Sequence, residues 1–479
     1  MSTNHGGSRG NIVTAGYPER AEEPMQVERL ASFVGQAAYE GLSEEARREL
    51  KIRVLDSLGC AIGALEGEPI RMLREQLEDF GGKPLATLIG GGKTAPDRTA
   101  LYNGALIRYL DYNDSYLAVR ETCHPSDNLG AVLAASEYAN KSGRELLTAL
   151  AVAYQVQCRL SEAAPVRHKG FDHTTQGAYA AAAGVAKALG LDQYKTANAI
   201  SISGTTNNAL RVTRTGELSH WKGLAYPNTA FAATHAAFLA MRGITGPRAV
   251  FEGNKGFMEV IAGPFEVDWE RENLEVVRRT ILKKYNAEIH SQSTLEGILE
   301  LKEAHRLRPE EVEQIEIETF DVAYNIIGGG EEGSKLRVNT KEDADHSLRY
   351  MVAVALLDGE VTPAQYAPER VRRDDVQELL RRVEIRPDPE LSRRFPQEMP
   401  SRIRVFLWGG QVLERNKRDY EGFFTRPMPW EKVEEKFERL SAPYADGKVR
   451  REIVETIRYL EATQISDLSG LVARVGKGR

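Results

Sequence analysis

Between residues 111 and 128 the chain reads DYNDSYLAVRETCHPSDN, with three aspartates (Asp111, Asp114, Asp127), a histidine (His124), several hydroxyls and little apolar periodicity. An acid and a histidine set close together can move protons near neutral pH. Ser126 and Asp127 then open a predicted helix, SDNLGAVLAASEYANKSG (126–143). A helix start offers free N–H donors and the positive end of the peptide dipoles, a seat for a substrate carboxylate. We read Asp111 and His124 as proton-transfer residues beside that seat, and Asp127 as a helix cap. Two further stretches carry titratable groups. NNALRVTRTGELSHWKGLAYPNTA (207–230) sets Arg211, Arg214, His220 and Lys222 in a polar interruption between helices. Such cations suit either a solvated surface or a polyanionic small molecule. KKYNAEIHSQS (283–293) contributes His290, in a setting where a lone histidine is more often structural than catalytic.

Other patterns narrow the chemistry. LIGGGKT (88–94) looks like the end of a phosphate loop, but GxxxxGK[ST] requires glycine where the chain has Thr87, so it predicts a Gly-rich turn. GGGEEG (328–333) reads as a mobile loop. No HExxH or ExxH pair falls on a predicted helix, which argues against a dedicated metal site. Cys60, Cys123 and Cys158 form no CxxC and are too few for an iron–sulfur cluster. Neither metal nor cofactor is expected. The same three scattered cysteines make no disulfide framework and point to a reducing, cytoplasmic setting.

The elements that must hold these residues fall into two textures. SEEARRELKIRVLDSLGCAIGAL (43–65), with Ser43 as cap, RELLTALAVAYQVQCRLSEA (144–163) and HTTQGAYAAAAGVAKALG (173–190), stopped by Gly190, repeat apolar residues at helical intervals. EQIEIETF (313–320), VEIRPD (383–388) and SRIRVFLWGGQVLE (401–414) alternate instead, the last around a GG hairpin turn. The predicted organisation is a disordered tail (1–25), a helical domain (26–276), an α+β domain (277–425) and C-terminal helices (426–479) that could return to the first domain. A length of 479 residues supports more than one core. A net charge of −6 argues against nucleic acid or an anionic membrane as a bulk partner, and no stretch approaches 18 apolar residues.

Five separated stretches carry a family likeness: YNGALIRYLDYND (102–114), HPSDNLGAVLAA (124–135), LRVTR with HWKGLAYPNTA (210–230), AEIHSQS (287–293) and DHSLRYMVAVALL (345–357). In this order they resemble the MmgE/PrpD family over nearly the whole chain. The resemblance implies a mainly α protein: a large all-helical domain, a smaller inserted α+β lid, a site in the cleft between them, and a homodimer. It implies site residues at Asp111, Ser115 (usually threonine) and His124, an active-site lysine at Lys222, a lid histidine at His290 and a lid tyrosine at Tyr350.

The activity it implies is a hydro-lyase converting 2-methylcitrate to 2-methyl-cis-aconitate, or acting on a close tricarboxylate, in propionate catabolism. The family also holds cis-aconitate decarboxylases, but the longer spacer before HPSDN here resembles the dehydratase branch. Three substrate carboxylates call for cations, which Lys222, Arg211 and the helix start could supply. One group must take a C–H proton and another must assist the leaving hydroxyl. His124 and His290 are the expected pair, with Asp111 orienting one of them. Which histidine is the base stays open. A silent binding protein is disfavoured by the joint presence of Asp111, His124, Lys222 and His290.

Overall fold

The computed structural model describes residues 23–476, so the expected tail lies outside the described residues except for Glu23, Pro24 and Met25. The protein is mainly α, with one four-stranded mixed sheet and two short hairpins. Among the described residues no helix is long and apolar enough to cross a membrane.

Sequence signals at helix ends act as expected. Ser43 Oγ accepts from the Ala46 amide at 3.1 Å at the start of helix Glu44–Gly63. Ser142 and Glu145 form a capping box before Gly143–Ala163, and Thr174–Leu189 ends at Gly190 in the left-handed region, φ 70. Small residues let these helices approach closely. A Cβ at Gly177 would stand 2.3 Å from the Tyr226 ring of helix Trp221–Met241. One apolar core runs from Val27 to Leu282 and resumes from Met428 to Val475. The returning helix Trp430–Ser441 lies on Glu44–Gly63, where a Cβ at Gly59 would meet the Phe437 backbone at 3.2 Å.

A second core spans Ala287 to Leu413. Its sheet runs in the order 383–387, 312–319, 401–407, 412–417, with the first pair parallel and the others antiparallel. Ile315 and Ile317 are buried from the central strand, with Ile403 and Val405 opposite, as period-2 alternation requires. Helices Gln292–His305 and Leu348–Asp358 pack against this sheet. LIGGGKT forms the turn of a hairpin, Ala86–Thr87 against Lys93–Thr94, with positive φ at Gly90, Gly91 and Gly92.

Two segments cross between the cores and are stitched together. Ser115 and Ile281 exchange backbone hydrogen bonds at 2.9 and 2.8 Å. The Tyr112 hydroxyl donates to the Lys284 carbonyl, and the Asn286 amide to the Leu110 carbonyl, both at 2.6 Å. The hairpin Tyr116–Leu117/Thr122–Cys123 leads into His124, and Leu117 joins Ile289, Phe320 and Phe423 in a small third core. The predicted helix at 126 starts later: Pro125–Asn128 is a 3-10 turn and the α-helix runs from Leu129 to Tyr138. Pro125 favours such a tight entry.

Candidate active site

Helix Pro96–Tyr109 delivers Arg108 to the junction, and the chain then turns sharply at Asp111, whose φ of 53 is unusual for a residue with a Cβ. That turn aims the Asp111 carboxylate inward. It accepts from Arg108 Nη1 at 2.5 Å and Lys283 Nζ at 2.6 Å, and Lys222 Nζ lies 3.4 Å away. Burial alone would raise its pKa, but Arg108, Lys283 and Lys222 hold it well below the usual carboxylate range. Asp111 is therefore a fixed anion that gathers cations. It is hydrogen-bonded to no histidine among the described residues, so it does not orient His124 or His290 as expected.

Four histidines surround the same space. His124 Nδ1 lies 2.8 Å from the Asp114 carbonyl and 3.0 Å from Ser115 Oγ. A carbonyl can only accept, so Nδ1 carries the hydrogen and Nε2 is left as a lone-pair nitrogen for the cavity that His124 lines. Burial, then the charges of Arg108 and Lys283, push His124 well below the ordinary imidazole pKa. Its imidazole is neutral near neutral pH. His290 differs: its Nδ1 faces Glu288 Oε1 at 2.7 Å, and its buried Nε2 has no partner among the described residues. Glu288 is itself lowered to about 2, against the burial that would raise it, by the His290 and His346 charges. Phe320 and Phe395 pack on the His290 ring.

His173 and His346 complete the set. His173 Nδ1 is 3.1 Å from Asp172 Oδ1, its Nε2 is unpartnered among the described residues, and burial lowers it to about 4. His346 Nδ1 sits 2.6 Å from Asp345 Oδ1 and 2.8 Å from Lys222 Nζ. Asp111, Asp345 and His346 offer three atoms within 4.8 Å of one another, the spacing of a metal site. The donor set is poorly suited to one, because Arg108, Lys283, Lys222 and Lys341 already contact the two carboxylates.

The cavity is ringed by cations. Arg214 is bound to Asp172 at 2.6 Å, while Arg211 and Arg167 share Glu332 Oε1 at 2.5 and 2.8 Å. Asp111, His124, Arg211 and His290 all line it, and they come from both sides of the junction between the cores. Lys222 stands just behind, on Asp111 and Asp345. Ser115 is fully buried and serves His124 rather than the cavity. Tyr350 does not reach the site: its hydroxyl donates to the Gln365 carbonyl inside the second core, because its helix turns that face toward the neighbouring 363–366 turn. Asp127 is no cap. Its carboxylate accepts from Asn113 at 2.7 Å and faces Arg108, while Asp114 accepts from the Ser126 amide at 3.0 Å and performs the capping.

His173, His346, Arg167, Lys283, Glu288 and Glu332 were missed as site residues by reading the sequence. One signal was available: DH at 172–173, DH at 345–346 and ExH at 288–290 each place an acid beside a histidine. Local pairing of this kind fixes a ring and leaves its other nitrogen free.

Comparison with known proteins identifies the family. Residues 28–270 match the MmgE/PrpD N-terminal domain, and residues 285–461 match the MmgE/PrpD C-terminal domain. The chain belongs to the MmgE/PrpD family. Among its MmgE/PrpD relatives is the alkylcitrate dehydratase phiI of a fungal species (strain ATCC 74256), 30% identical over 84% of this chain and 85% of that one. The 2-methylcitrate dehydratase of Escherichia coli K12 is 29% identical over 73% and 75% of the two chains. The mitochondrial 2-methylcitrate dehydratase of Yarrowia lipolytica is 26% identical over 82% and 79%.

Proposed function

We propose that this protein is a hydro-lyase that dehydrates 2-methylcitrate or a close tricarboxylate by side-chain acid–base chemistry. The observation that carries the reading is a pair of histidines in opposite electrostatic settings on one cavity. His124 is neutral among cations, whereas His290 is backed by the Glu288 carboxylate. His124 Nε2 takes the C–H proton beside a substrate carboxylate. His290, held through Nδ1 by the Glu288 carboxylate, gives a proton from Nε2 to the departing hydroxyl, which leaves as water. The cations ringing the cavity bind the carboxylates and stabilise the negative charge that builds up as the C–H bond breaks. Asp111 and Lys222 position those cations and His346. The names of the relatives support the substrate class. In this reading the second core acts as a lid over the first, and the protein is a cytoplasmic homodimer, which light scattering of the purified protein checks.

The test is an assay with 2-methylcitrate, citrate and cis-aconitate, following the new conjugated double bond by absorbance and the product by mass. Unsaturated tricarboxylate is the expected product; carbon dioxide with a dicarboxylate would overturn the reading. His124→Gln keeps a polar group of similar reach but cannot move a proton near neutral pH. Turnover should fall by about 10² to 10⁴ in that variant, the usual contribution of a positioned base. Near-normal turnover would remove His124 from the chemistry.

A further inference from the structure

Most cations at the cavity are matched by acids built into regular structure or tight turns: Arg214 by Asp172, and Arg108 and Lys283 by Asp111. Arg167 is different. Among the described residues its guanidinium has one ion-pair partner, Glu332, which Arg211 shares through the same oxygen. Glu332 is 6% exposed, yet it comes from a loop with glycines at 328, 329, 330 and 333. Gly329 and Gly333 take φ of 108 and 92, a backbone that can rearrange without Cβ clashes. Without an anion between them, two half-buried guanidiniums would repel. Burial and the Arg211 charge already pull Arg167 down.

Space points the same way. The inner cavity holds about 40 Å³, room for a few waters and far short of a tricarboxylate. An outer cleft of about 420 Å³ adjoins it and shares Glu121, Thr122 and Arg167. Arg167 thus stands on the boundary between solvent and the histidines, with the Glu332 carboxylate beside it. Departure of Glu332 would clear room and uncover the two charges a carboxylate ligand needs.

We propose that Arg167 and Arg211 form the seat for one substrate carboxylate, and that Glu332 fills this seat until the substrate displaces it. The proposal rests on the polycarboxylate reading above. Glu332 is then a positioning residue and an internal competitor: its affinity for the arginines is subtracted from the ligand's apparent affinity. The same swap keeps Arg167 paired whether the site is empty or filled, so it is not left as an uncompensated buried charge, while Arg211 also keeps Asp172 Oδ2 at 3.7 Å.

The experiment measures binding of malonate, a small dicarboxylate, by calorimetry to wild type, Glu332→Gln and Glu332→Gln/Arg167→Gln. Malonate should bind Glu332→Gln at least about fivefold more tightly than wild type, and the gain should vanish in the double variant. Equal or weaker binding to Glu332→Gln would overturn the proposal, since a purely structural glutamate would loosen the arginines when lost. Hydrogen exchange on wild type gives a second readout should the variant fold poorly. Saturating malonate should speed exchange of the Glu332 amide, which donates to the Asn325 carbonyl at 2.9 Å. Unchanged exchange there would also overturn the proposal. A protein inert toward both 2-methylcitrate and citrate that still shows the malonate pattern would refute the dehydratase reading alone. An active enzyme without that pattern would refute the seat alone.

Discussion

His124 owes its role to its neighbours more than to its own chemistry. Its Nδ1 is tied to the Asp114 carbonyl and Ser115 Oγ, and burial, then nearby positive charge, keeps protons off Nε2. In the proposed mechanism protonation of His124 removes the base, so kcat/KM should fall on the acid side of the His124 pKa. With that pKa well below 6.5, the acid limb of the pH profile is expected below 6.5 as well. Lys283 is one of the charges responsible, so Lys283→Gln should move the limb toward higher pH, whatever it does to the maximum. A profile unmoved in that variant would mean another group sets the limb. Asp111, His124, Arg211 and His290 could be picked out of the sequence because residue type and motif order mark them. Glu332 could not: GGGEEG has the composition of a solvated loop, and only the fold shows its carboxylate turned onto two arginines from a distant segment.

Elements here are positioned by close approach between small residues. Gly177 touches the Tyr226 ring, and the Tyr226 hydroxyl donates to Asn128 Oδ1 at 2.9 Å in the turn that follows His124. A methyl group at 177 must push that tyrosine aside. Gly177→Ala should cost about 1–3 kcal/mol, the usual range for overpacking, despite the better helix propensity of alanine. Urea midpoints measure this, and an equal or higher midpoint would show that the helices have slack. Helix ends and strands were legible because caps, Gly190 and period-2 alternation are local signals. The 3-10 turn at Pro125–Asn128 was not. Its shape depends on Asp114 reaching the Ser126 amide and on Gln157 and Tyr226 holding Asn128, contacts that no short window of sequence contains.

At the scale of the whole molecule, the buried groups make a statement about acid. His173 titrates at about 4 in the folded protein against 6.5 for a free imidazole, and Glu288 at about 2 against 4.5. In both cases the unfolded chain binds protons at a higher pH than the folded one, so these contributions are lost as pH falls. Asp127 works the other way from about 7 down to 3.8, because burial pushes its carboxyl up to about 7. The fall in stability should therefore be steep below about 4, where Asp127 is protonated in either state while Glu288 still titrates down to about 2 and Asp111 and Asp172 are held well below the usual carboxylate range. Denaturant midpoints at pH 4 and pH 3 check the sign, and a midpoint that rises between them on acidification would contradict it. The change of texture near 277 and the return after RPMPW were readable as changes in hydrophobic period. How the two cores meet was not, because residues 110–116 and 280–286 join through backbone bonds that leave no composition signature.

The three cysteines, buried and free in the helical core, give the protein an internal clock. A thiol attacks a disulfide reagent only as an exposed thiolate, and burial pushes the Cys60 thiol far above its ordinary pKa. Modification in the native state must therefore wait for the chain to open. Cys60 lies in helix Glu44–Gly63 under the returning C-terminal helix, whereas Cys123 is adjacent to His124 at the site. Their separate labelling rates would time two different openings in one experiment: the breathing of the scaffold, and the loosening of the hairpin that presents His124.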